Sequence, residues 1–96
     1  MTTTPRVGHG VGVVRIAGTG VWALWVLEHF RAETCRDVRV RIRVRVSLDE
    51  FDRLGLNEYE RVPLKVGGQA ERLVYFRHKR DAPPFCWLEF GDLLGW

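Results

Sequence analysis

"VWALWVLEHFRAE", residues 21–33, decides the fold of this chain. Up to Leu27 both faces of the stretch are apolar, so hydrophobic periodicity cannot choose between helix and strand. Ala23, Leu24, Leu27, Glu28 and Ala32 are good helix formers, and no Gly or Pro interrupts them. A helix is expected. The alternative is the second arm of a hairpin turning at "GTG", residues 18–20, and that choice would make the whole protein an all-β barrel.

Upstream, "HGVGVVRIA", 9–17, reads as a strand whose start Gly10 and Gly12 weaken. Residues 1–8, rich in Thr, Pro and Gly, read as a flexible N-terminal end, leaving 9–96 as a single domain. Downstream lies the surest strand, 37–47, where Val38, Val40, Ile42, Val44 and Val46 share one face. "SLDEFDRLG" then carries a capping box, Ser47 with Glu50, which predicts a short helix over 48–54 ending at Gly55. "ERVPLKV", 60–66, and "ERLVYFRHK", 71–79, read as a hairpin around "GGQA". A four-residue loop would set Leu64 opposite Leu73 and Val62 opposite Tyr75. Pro63 marks the first of these strands as an edge. After "DAPP", "FCWLEF", 85–90, reads as the last strand.

The resulting expectation is a small α+β domain: an antiparallel-rich sheet of about five strands with one main helix, 21–33, on one face. That helix should cover the valine face of strand 37–47 and leave its other face open.

The open face is the candidate site. Arg39, Arg41, Arg43 and Arg45 stand in one row, and alternate strand residues are about 6.8 Å apart. Such a row can follow a phosphate backbone, with Arg72, Arg77, Lys79 and Arg80 enlarging it and Tyr75, Phe76 or Trp87 offering stacking planes. The competing reading is a solvated strand face, cross-paired with Glu58, Glu60, Glu71 or Glu89. Thirteen of the fifteen basic residues are arginine, and the net charge is +3. Basic and acidic residues fall in blocks: residues 1–48 and 61–80 are basic, 49–60 acidic. Such blocks can neutralise each other when they become neighbours.

Two further surfaces are candidates. Trp22 and Trp25, in the apolar run, and Trp96 at the end of the sequence suit either core packing or contact with a partner. A homodimer is a further expectation, from this apolar run and the Pro63 edge. The thiols and imidazoles, His9, His29, Cys35, His78 and Cys86, lack zinc-finger spacing and any Cys-x-x-Cys. Approach of His29 to Cys35, or of His78 to Cys86 across a hairpin, keeps a Cys–His enzyme as a remote alternative. No phosphate loop or EF-hand is present. Neither a cofactor, a metal nor a small-molecule substrate is expected. The stretch "GVWALWVL" is too short to span a bilayer, and two cysteines suit a reducing cytoplasm.

The function expected is non-catalytic: a binding module whose arginine face holds an anionic partner, nucleic acid ranked ahead of an acidic protein surface. Exposed arginines with an aromatic neighbour would favour nucleic acid. An apolar patch beside them would favour protein.

Overall fold

The computed structural model describes residues 6–31 and 38–92. They form an antiparallel sheet of six strands with one helix, the small α+β class expected. The strands are β1 (Arg6–Ile16), β2 (Thr19–Arg31), β3 (Val38–Ser47), β4 (Arg61–Lys65), β5 (Arg72–Ala82) and β6 (Phe85–Gly91). Helix α1 (Leu48–Leu54) follows β3. Hydrogen-bonded neighbours run β1-β2-β3-β6-β5-β4 around a ring, closed by a contact of β1 with β4 at only Arg15↔Lys65 and Ile16↔Leu64.

The main helix expected over 21–33 does not form. As far as Arg31 this part of the chain is β2, paired to all eleven residues of β1 on one side and to β3 on the other, and residues 32–33 lie outside the described residues. Helix propensity is a weak prior, and pairing on both sides outweighs it. The turn is Ala17-Gly18, with φ of 51° and 84°, one residue before the expected "GTG". Positive φ at both central residues gives the tight reversal whose twist matches a hairpin. Val21, Ala23 and Leu27 point into the ring and are buried, while Trp22 on the opposite face is exposed.

Trp25 explains the glycines of β1. A Cβ on Gly10 would lie 2.7 Å from its Cζ2, and one on Gly67, in the β4–β5 loop, 2.8 Å from the same atom. No real Cβ tolerates such approach, so the indole occupies space that both positions must leave empty. The strand extends three residues further upstream than the sequence pattern suggests, to Arg6.

Strand β3 follows expectation. Val40, Ile42, Val44 and Val46 are buried, and with Val14, Ile16, Val62, Leu64, Val74, Phe76, Leu88 and Phe90 they fill the ring. Other strands, rather than a helix, cover this face. Ser47 starts α1 as expected: the Glu50 amide donates to Ser47 Oγ and the Ser47 amide to Glu50 Oε1, both at 3.1 Å. Gly55 ends it in the left-handed conformation, φ 62°. Leu48, Phe51 and Leu54 pack against the core, with the Phe51 ring 6.0 Å from that of Phe76.

The β4–β5 register differs by one residue from the expected one: Val62 opposes Val74 and Leu64 opposes Arg72. "LVYF" offers two apolar pairs of opposite parity, and the ring takes Val74 and Phe76 inward, turning Leu73 out. The Pro63 carbonyl accepts from the Ala17 amide at 2.9 Å, so its backbone faces β1 beside the short closing contact. A register shift in β5 falls between Phe76 and His78. Among the described residues no helix is long and apolar enough to cross a membrane.

Candidate binding face

Cross-strand register assembles the outer face row by row. One row runs Val11, Leu24, Arg45, Trp87, Arg80; the next runs His9, Val26, Arg43, Glu89, His78. Val13 opposes Trp22. The face therefore divides into an apolar half on β1 and β2 and a charged half on β3, β6 and β5.

The arginine row does face outward, as its alternation requires. Much of its charge is met inside the chain. Glu28, itself only 8% exposed, lies opposite Arg41. Its Oε2 accepts from Arg41 Nη2 at 3.0 Å and its Oε1 from Arg43 Nη2 at 2.7 Å. Arg41 also approaches Glu89, Nε to Oε1 at 3.8 Å. One carboxylate thus serves two arginines in bonds stronger than neutral ones. Arg45 differs: its guanidinium lies 4.6 Å from the centre of the Phe85 ring, and no carboxylate among the described residues lies within ion-pair distance. Arg39 is half-buried and also has a partner.

Of the residues expected to enlarge the patch, Arg80 joins it and Lys79 does not. Lys79 occupies the opposite side of β5, paired with Asp81 at 3.1 Å and 4.6 Å from the Phe51 ring centre. The hydrogen bond it donates to the Asp81 carboxylate raises the Lys79 amine above its ordinary pKa. Arg72 opposes the buried Leu64, and Arg77 falls in the β5 register shift with its own partner. Phe76 is no stacking plane: it is 1% exposed, in the core, because the β5 parity turns it inward. Tyr75 is half-buried opposite Gly91, and Trp87 is half-buried between Arg45 and Arg80. Arg43, His78, Arg80 and Trp87 line an open groove of about 610 Å³ whose wall also carries Asp81 and Glu89.

Trp25 is half-buried on the inner side of β2 and packs against the core, in the space beside Gly10 and Gly67. Trp96 lies outside the described residues. Trp22 is the exposed one, at 69%, beside Val13 at 61% and Val11 at 60%. Next to them, Val11, Trp22, Leu24, Arg45, Phe85 and Glu50 line a notch of about 240 Å³.

The Cys–His arrangement across the last hairpin does not form. His78 sits on the outer face opposite Glu89, whereas Cys86 is wholly buried on the inner one. Burial raises the Cys86 thiol above its ordinary pKa, away from the thiolate a nucleophile needs. Cys35 lies outside the described residues. Among the described residues no group of three His, Cys, Asp or Glu is placed to hold a metal ion.

Two of these residues escape sequence reasoning. Glu28, placed in a helix, has no route to the arginine row; in a strand it stands directly opposite Arg41. Phe85 as a seat for Arg45 follows only from the β3–β6 register, two residues from Trp87. No protein-family model, curated protein or solved structure matches the chain.

Proposed function

We propose that this protein is a non-catalytic binding module that docks another protein on the apolar half of its outer face, with arginines at the rim. The observation that carries the reading is Trp22, 69% exposed in register with Val13 and beside Val11. Tryptophan and arginine dominate protein-interface hot spots, and a contiguous exposed apolar patch marks such surfaces. Because Glu28 already holds Arg41 and Arg43, the row offers less charge to a partner than four arginines suggest. The buried, free Cys86 suits a reducing cytoplasm.

The test is capture from the native host with the full chain and with its Trp22→Asp variant, followed by binding measurements on the purified candidate. A protein held by the wild type and released by the variant, with both results reproduced in purified form, is expected. Equal binding to both chains would overturn the reading. A second copy is one form such a partner can take, and sedimentation at micromolar concentration separates it. A monomer near 11.1 kDa at every loading assigns the face to a different protein.

A second reading, nucleic acid, is favoured by the row Arg45, Trp87, Arg80, which sets an aromatic plane between two cations. Single-stranded DNA contacting these two arginines should give a slope of log K against log[salt] of about −1.4. Absence of binding at low salt would remove this reading.

A further inference from the structure

We infer that the notch between β2, β3 and β6 is an anchor site for one apolar side chain carried next to a carboxylate, in an acidic segment of the partner protein. The inference rests on the protein-binding reading of this face and adds the partner's chemistry.

Size is the first argument. The notch holds about 240 Å³. Sites for free small molecules occupy about 300–1,000 Å³, so this one suits a single side chain of a larger ligand. Its walls are Val11, Trp22, Leu24 and Phe85, which offer an apolar seat open at the sheet surface.

Charge is the second. Arg45 lines the same notch and, unlike Arg41 and Arg43, has no carboxylate partner among the described residues. Phe85 holds its guanidinium by the ring face at 4.6 Å, which fixes the planar group and leaves its edge donors for a ligand. A planar fork fixed in this way matches a carboxylate, and less side-chain freedom is lost on binding. Glu50 is the one acid in the wall, and its Oε1 is engaged by the Ser47 amide at 3.1 Å. The helix cap thus turns that carboxylate toward the Ser47 backbone, and no ion pair joins it to Arg45.

Apolar walls and a cation with no carboxylate partner among the described residues together select an apolar residue flanked by Asp or Glu. A basic segment would meet Arg45 unfavourably, and a purely apolar one would leave its donors unused.

The probe is a random peptide library displayed on phage and selected on the full chain, with counter-selection on Trp22→Asp. Enrichment of Leu, Phe or Trp adjacent to Asp or Glu is expected. A selected peptide, made synthetically, should bind Arg45→Gln about tenfold more weakly than wild type, the scale of a charge pair at a partly desolvated rim. Replacing its acidic residues with Asn should cost the wild type as much and cost Arg45→Gln little, which locates the effect in that pair. Thermal melts establish that both variants remain folded. Selection of basic or uncharged peptides, an affinity unmoved by Arg45→Gln, or no enrichment at all would overturn the inference. The protein-binding reading fails separately, when the native partner binds Trp22→Asp as well as wild type.

Discussion

Strands β2 and β3 lie side by side, bury the same kind of inner face, and present opposite outer ones. From β3 come Arg39, Arg41, Arg43 and Arg45; from β2 come Trp22, Leu24 and Val26, ending in Glu28. The charged strand is the more conspicuous, yet its neighbour supplies Glu28 to bind two of the arginines at 2.7 and 3.0 Å. The apolar strand has no such complement, and Trp22 remains 69% exposed. An unusual run of charge is therefore weak evidence of a ligand when a carboxylate stands opposite in register. Uncovered apolar surface is stronger evidence, because nothing among the described residues offsets its exposure to water.

The largest expected effect separates the two faces of β2 itself. Trp25 is a core residue filling space that Gly10 and Gly67 keep open. Its replacement by Ala removes that contact and is expected to cost about 3 kcal/mol of stability, the lower end for an aromatic deletion because the residue is only half-buried. Urea denaturation measures it. Gly10→Ala should destabilise the wild type, where the new Cβ would lie 2.7 Å from the indole, and do so less in the Trp25→Ala background. Additive effects of the two substitutions would show that Trp25 does not set the glycine requirement.

Glu28→Gln tests whether β3 is held by its neighbour. The substitution leaves Arg41 and Arg43 facing an amide, and the side chains of these arginines are 37% and 47% exposed. Solvent screens what remains, so a loss of about 1–2 kcal/mol is expected rather than the full cost of breaking a buried pair. The same variant should bind single-stranded DNA more tightly than wild type, with a steeper salt dependence, since two arginines are released from a carboxylate. Unchanged stability together with unchanged DNA affinity would mean that Glu28 does not neutralise the row.

These two strands also show which parts of the fold were legible in the sequence. Strand β3 was, because one apolar and one charged face produce a period of two that no helix mimics. Helix α1 was, because Ser47, Glu50 and Gly55 act locally, each on backbone groups within a turn. Strand β2 was not, for a reason tied to its candidate role. Its inner residues are apolar to fill the ring, and Trp22, Leu24 and Val26 are apolar on the outside, so the alternation disappears. The residues that concealed the strand are the ones that make its outer face a candidate interface. Glu28 was lost with it, since a carboxylate assigned to a helix cannot be set opposite an arginine in a sheet. In β5, adjacent apolar residues left two parities open, and only the ring's closure selects Val74 and Phe76 as the inward pair.

The shared inner face has its own reporter. Cys86 is wholly buried opposite Val46 of β3, and burial raises its pKa. A raised folded-state pKa means the neutral thiol is favoured in the fold. Its contribution is complete below the unfolded value of about 8.5 and is lost as pH rises through the folded one. Stability should therefore decline above about pH 8.5 in the wild type and decline less in Cys86→Ala, compared as slopes of urea stability against pH. The native thiol should react slowly with a thiol probe and quickly in urea. Parallel slopes for the two proteins, or fast native labelling, would place Cys86 at an accessible surface.

The smallest expected effect on the fold belongs to Trp22, and its smallness is the point. A residue 69% exposed gives up little buried area when truncated. Trp22→Ser is expected to change stability by less than about 0.5 kcal/mol, as at ordinary surface positions. Its neighbour Val13, 61% exposed, is in the same position, so Val13→Thr should be equally neutral. Trp25→Ala, three residues along the same strand, stands at the other extreme. If Trp22 served packing, its loss would lower the urea midpoint as Trp25→Ala does, and the apolar half of the face would be ordinary core margin. If it serves contact, partner binding falls while the midpoint stays fixed. Measuring both quantities on Trp22→Ser distinguishes the two roles in a single variant.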